Sequence, residues 1–134
     1  MLGNLDNKVV IITGAGQGIG EGIAKVFAKA GAKVVVATRT RENGQEVVDS
    51  INAAGGDAIL IQTDVGKRDQ VFAMVDQTVA HFGQLDIAIH NAAIFPMYTV
   101  ETISDEDLDA TLSINLKAAW WLVQAGLPHL RKQG

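Results

Sequence analysis

Four short apolar runs, each followed by a stretch of helical periodicity, constrain this chain more than any other feature. Val9-Val10-Ile11-Ile12, Val34-Val35-Val36, Ile59-Leu60-Ile61 and residues 85–89 read as buried strands, because they are short, apolar and mostly β-branched. Between them Ile19, Ile23, Val26, Phe27 and Ala30 recur at helical spacing, then Val47, Ile51 and Ala54, then Val71, Met74, Val75 and Phe82. Gly31, Gly55-Gly56 and Gly83 stop these three helices. Such alternation specifies an α/β fold, a doubly wound parallel sheet with right-handed crossovers and helices on both faces. A last helical stretch opens at Ser104-Asp105-Glu106-Asp107, a capping-box-like start with an acidic first turn. It runs to Arg131-Lys132-Gln133-Gly134, where a basic last turn meets glycine. The pattern leaves off after a helix, where another strand is expected.

Composition narrows the function. At 134 residues the chain reads as one domain, 1–134, or as part of one. It is 48% hydrophobic and 19% charged, which is enough apolar surface to form a core. A net charge of −4 gives no attraction to nucleic acid or to an anionic membrane. The absence of cysteine excludes disulfides, thiolate nucleophiles and thiolate metal sites. His81, His90 and His129 are too scattered to suggest a metal motif, so no metal is expected. No apolar run reaches membrane-spanning length, and the first eight residues lack a secretory pattern. The expected setting is reducing and cytoplasmic.

Directly after the first strand stands Thr13-Gly14-Ala15-Gly16-Gln17-Gly18-Ile19-Gly20, which runs into the first helix. Small residues here let the backbone approach a pyrophosphate, and the helix start offers unpaired N–H groups with a positive dipole end. The spacing is T-G-x-x-x-G-x-G and departs from the plain dinucleotide fingerprint, since position 19 is Ile. A glycine-rich turn without a ligand is the alternative. A Walker loop is excluded, because no Gly-Lys-Ser/Thr follows.

With that loop, Asp64-Val65 after the third strand, His90-Asn91-Ala92-Ala93 after the fourth and Ile114-Asn115-Leu116 beyond, the sequence resembles the short-chain dehydrogenase/reductase superfamily, in its compact single-domain branch. The four motifs stand in order at the family's spacing, and the resemblance covers all 134 residues. It departs from the family's N-N-A-G at His90 and Ala93, while Asn91 is kept. The family's serine and Tyr-x-x-x-Lys lie beyond a fifth strand. Here the one tyrosine, Tyr98, is followed four residues later by Thr102. The resemblance therefore implies the amino-terminal, cofactor-binding half of a Rossmann-type domain, with strand order 3-2-1-4, and no turnover by this chain alone.

The ligand crevice of such a sheet opens between strands one and four, at their carboxyl ends. By resemblance Gly14, Gly16, Ile19 and Gly20 hold the pyrophosphate, with Gln17 and Gly18 completing the loop and Asn91, Ala92 and Ala93 flanking it. Asp64 would accept the adenine amino hydrogen and Val65 would meet the base; otherwise Asp64 is a solvated helix cap. After strand two stand Thr38 and Arg39 with no acidic residue to hold a 2′-hydroxyl. Arg39 can grip a 2′-phosphate, with Thr38 adding a hydroxyl, unless it is an ordinary loop charge. Gln17 argues mildly against this, since many NADP-dependent relatives are basic there. The cofactor expected is NADP(H), ahead of NAD(H).

Asn115 falls on a Leu108, Leu112, Ala119 stripe, expected to be buried, where an amide must find partners. A core asparagine satisfied locally is one reading; by resemblance it kinks the helix and holds a water of the proton relay. His90 reads as a local hydrogen-bonding residue. Leu116, Trp120, Val123 and Leu127 make a second stripe that wants a partner, and in the family such helices form a subunit interface. The resulting expectation is an NADP(H)-dependent oxidoreductase of alcohol or carbonyl substrates, homo-oligomeric, without nucleic-acid or membrane partners. The alternative is a non-catalytic dinucleotide-binding or assembly module.

Overall fold

The computed structural model describes residues 3–134. Strands β1 (Val9–Thr13), β2 (Lys33–Thr38), β3 (Asp57–Gln62) and β4 (Ile87–Ile89) alternate with helices α1 (Gly18–Lys29), α2 (Arg41–Ala53) and α3 (Arg68–Phe82). The sheet is parallel, in the order β3-β2-β1-β4. Successive strand residues point to opposite faces. Ile11, Val35, Ala37 and Ile61 pack on Val71, Met74 and Val75 of α3, while Val10, Ile12, Val34 and Val36 pack with Ala24 of α1 and Val47, Val48 and Ile51 of α2. Burial on both faces is why these strands read as continuous apolar runs instead of alternating ones.

The fourth strand is shorter than the expected 85–89, and it spans Ile87–Ile89. Leu85 is fully buried in the α3 side of the core. Asp86 turns its carboxylate to the start of β1, where Oδ2 accepts from the Val9 N–H at 2.8 Å and from Gln84 Nε2 at 2.7 Å. This side-chain bonding stands beside a backbone bond, the Asp86 N–H donating to the Val9 carbonyl at 3.0 Å.

Beyond a long loop lie α4 (Asp105–Leu112), a π-helical turn (Ser113–Lys117) and α5 (Ala118–Leu130). Ser104 caps α4, its Oγ accepting from the Asp107 N–H at 3.1 Å. The Leu108, Leu112, Asn115, Ala119 stripe is not the buried face. Leu108 and Leu112 are exposed and so is Asn115, whereas Ala118, Leu122, Ala125 and Gly126 are buried. A π turn carries an extra residue per turn, so helical phase counted along α4 does not carry into α5. Of the second stripe, Leu116, Trp120 and Val123 stand in solvent and Leu127 is half-buried.

Candidate functional site at the end of β1 and β4

Two loops leave the carboxyl ends of adjacent strands, and Thr13 joins them. Its buried hydroxyl accepts from the Asn91 N–H at 3.0 Å and the Ala92 N–H at 3.1 Å. The Asn91 amide returns the contact, Nδ2 donating to the carbonyls of Thr13 and Gly14 at 3.1 and 3.2 Å. This clamp requires the glycines. Gly14 has φ of +66°, and a Cβ on it would stand 2.8 Å from Ala92 Cα. A Cβ on Gly20 would overlap the Gly14 carbonyl oxygen. Helix α1 thereby starts hard against the end of β1, and Gln17 at its N-cap makes no side-chain cap bond. The first N–H groups of α1 are left for an anion.

The second wall comes from β2 and β3. Thr38 packs over Gly16, where a Cβ would lie 2.8 Å from the threonine hydroxyl. Arg39 is exposed, its backbone carbonyl held by Gln62 Nε2 at 3.1 Å. Asp64 is half-buried; Oδ1 accepts from the Gly66 N–H at 3.0 Å, and its own N–H donates to Gln70. Its carboxylate therefore shapes the turn before α3, whose N-cap is Lys67. Val65 is buried beside it.

A crevice of about 390 Å³ lies between these walls. Gly14, Gln17, Gly18, Ile19, Gly20, Thr38, Arg39, Asp64, Val65, Asn91, Ala92 and Ala93 all line it. Gly16 does not; it sits beneath, as the packing surface for Thr38. Thr40, Asn43, Thr63, Ile94 and Ile114 line the crevice as well and were not legible as site residues. Ile94 and Thr40 could have been found as neighbours of the motifs. Ile114 stands in the 114–116 motif itself, and the π turn brings it to the crevice.

Asn115 stands beside the crevice. Its Oδ1 accepts from the Ile94 N–H at 2.9 Å and its Nδ2 donates to the Ile94 carbonyl at 2.8 Å. The exposed amide is thus satisfied by the loop after β4 and not within a core. A π turn, Ser113–Lys117, spans Asn115. His90 hydrogen-bonds to residues distant in sequence, with Nδ1 3.1 Å from Thr13 Oγ1 and Nε2 2.9 Å from the Ile114 carbonyl. Burial holds its pKa below the usual histidine value, partly offset by the Ile114 carbonyl. Among the described residues no group of histidine and carboxylate side chains could hold a metal ion, and no helix is long and apolar enough to cross a membrane.

Strand order and crevice together define a Rossmann-like α/β sheet with its cleft at the point where the chain reverses across the sheet. The chain belongs to the short chain dehydrogenase family, whose model matches residues 8–134. It is 42% identical over 131 residues to an uncharacterized oxidoreductase of Thermotoga maritima, covering 98% of this chain and 51% of that protein. It is also 42% identical to versicolorin reductase stcU of Emericella nidulans, covering 97% of this chain and 50% of the relative. Among solved structures, a short chain dehydrogenase from Burkholderia cenocepacia in complex with NADP superposes with a TM-score of 0.92 at 38% identity, covering 95% of this chain and 52% of that one. The chain spans about half the length of the curated relatives it matches.

Proposed function

We propose that the crevice binds NADP(H) and that the chain is the cofactor-holding part of an oxidoreductase acting on alcohol or carbonyl substrates. The observation that carries this reading is the start of α1, uncapped by any side chain and opening onto a cleft whose far wall is the 91–94 loop. The uncapped N–H groups suit a pyrophosphate, and the glycines leave it room. Family membership, a relative named as a reductase and a similar structure holding NADP support the same reading.

Bound there, the nicotinamide would supply hydride chemistry to a substrate carbon. The chain's own residues bind and orient. The 14–20 loop and the α1 N–H groups hold the pyrophosphate; Asp64 and Val65 take the adenine; Thr38 and Arg39 take the 2′-phosphate; Asn91, Ala92 and Ala93 form the opposite wall. Asn115 is a positioning residue, keeping the loop after β4 in place through Ile94. This chain has no Tyr-x-x-x-Lys to supply the substrate's proton. We therefore expect binding without turnover, and sustained NADPH oxidation with simple ketones by the purified chain would refute that.

The cofactor assignment has its own test. A charge-assisted contact from Arg39 to the 2′-phosphate is worth roughly 1.5–3 kcal/mol, about a ten- to hundredfold preference. Arg39→Asp should weaken NADP+ by that factor in calorimetric titration and leave NAD+ equal or better. Wild-type protein that already binds NAD+ more tightly than NADP+ would show the assignment to be wrong.

A further inference from the structure

We propose that His90 is a positioning residue that couples the dinucleotide crevice to the π turn, so that nucleotide binding and protonation of its ring oppose each other. The inference rests on the nucleotide reading of the crevice and adds a device to it. The hydrogen-bond arithmetic around Thr13 carries it. A threonine hydroxyl has two lone pairs and one proton. Both lone pairs of Thr13 Oγ1 are engaged, by the N–H groups of Asn91 and Ala92. Its proton must then go to His90 Nδ1, 3.1 Å away. That makes Nδ1 an acceptor and puts the ring's own proton on Nε2, where it is donated to the Ile114 carbonyl at 2.9 Å. His90 is therefore neutral, with one tautomer fixed from both sides.

An imidazolium does not fit this chain. It would aim a second N–H at a hydroxyl with no lone pair left, in a site where an unmatched donor is costly. Either the ring moves and releases Ile114, or Thr13 gives up one of the N–H groups of Asn91 and Ala92. The first loosens the π turn, whose Asn115 grips Ile94; the second loosens the crevice wall directly. Both outcomes disturb residues lining the same cleft.

Among the described residues no charged neighbour compensates. Asp86, on the chain leading into β4, has Oδ2 committed to Val9 and Gln84 and Oδ1 3.7 Å from Lys8 Nζ. Asp64, after β3, is turned to Gly66. On α3, Arg68, Asp69, Asp76 and His81 are exposed, as is Lys117 on the π turn. Helix α5 carries His129 as its one titratable group, near its far end, and α1 carries Glu21, Lys25 and Lys29, the first two paired with each other. The direction of the ring's pKa, set by burial first, agrees with a neutral ring.

By linkage, a ligand that needs the neutral ring lowers its titration midpoint, and acid weakens the ligand by the same factor. The test is a ¹⁵N NMR titration of the histidine rings in the intact chain, with and without saturating NADP+. It is paired with NADP+ affinities across the same pH range for wild type and His90→Asn. Three results are expected: an Nε2–H tautomer, a His90 midpoint below 6.5 that falls further with NADP+, and affinity that drops by up to about tenfold per pH unit below that midpoint. The variant should lose this drop, while pH effects from His81, His129 and the ligand's phosphate remain common to both proteins. An Nδ1–H tautomer, an unmoved midpoint or an unchanged pH profile in the variant would each overturn the proposal. NADP+ that binds at no pH refutes the nucleotide reading, whereas binding with an unmoved midpoint refutes the coupling alone. If His90→Asn does not fold, the wild-type ring titration decides.

Discussion

Gly20→Ala should reduce NADP+ affinity by about a hundredfold or more, while Gly22→Ala, two residues on in the same helix, should leave it unchanged. The added Cβ at position 20 would overlap the Gly14 carbonyl oxygen and stand 2.5 Å from Asn91 Nδ2. Neither neighbour can yield cheaply. The first is backbone in a loop with positive φ, and the second holds the carbonyls of Thr13 and Gly14. Relief requires α1 to move away from β1, and that movement displaces the N–H groups proposed to hold the pyrophosphate. Overpacking of this kind also costs about 1–3 kcal/mol of stability. At Gly22 an added Cβ meets nothing within 4 Å, so alanine there should stabilise the helix by about 1 kcal/mol. Calorimetric titration and thermal melts of the two variants check this pair. Gly20→Ala that binds within threefold of wild type would remove the close approach from the account of the site.

The second large effect is expected in assembly. Leu108, Leu112, Leu116, Trp120 and Val123 are all exposed along α4, the π turn and α5, with Trp120 at 68%. Large apolar side chains gathered on one helical segment are the mark of an interaction surface. The chain's own edge strand is a weaker candidate, because β4 pairs over only three residues. We therefore expect a homo-oligomer with Trp120 at its contact, two-fold closure being the commonest arrangement of identical chains. Trp121 does not share this role, since it packs against the α3 side of the core. Trp120→Glu should raise the dissociation constant by about thirtyfold or more, through loss of an aromatic anchor and burial of a charge. The monomer itself should keep its stability, because the side chain lies in solvent. Light scattering at micromolar concentration should give a multiple of 14.2 kDa for the wild type and 14.2 kDa for the variant. A wild-type species of 14.2 kDa would refute the assembly.

The strands were legible in the sequence for a definite reason. A parallel sheet covered on both faces needs apolar residues at consecutive positions, and Val9–Thr13 and Lys33–Thr38 meet that need locally. The glycine loop was legible because close approach and positive φ exclude other residues wherever they occur, as Gly14 shows. Motif spacing then brought twelve of the thirteen expected cofactor residues to one crevice, with Gly16 packed beneath it.

What the sequence could not reveal depends on partners far along the chain. The residues gripping Ile94 and Ile114 stand 21 and 24 positions away, and a hydrogen bond over that distance leaves no periodicity to read. The π turn belongs to the same class. It breaks the 3.6-residue count at Ser113–Lys117, so the face that α5 buries, Ala118, Leu122 and Ala125, cannot be counted forward from Leu108 and Leu112. Sequence alone determined the α/β class and the glycine loop, because those follow from residue volume, burial and backbone freedom at each position, while the strand order and the place of the cleft came with the family resemblance. Tertiary structure decided the phase of the last helix and the partners of His90 and Asn115, because those depend on which polar atoms meet once the sheet has closed.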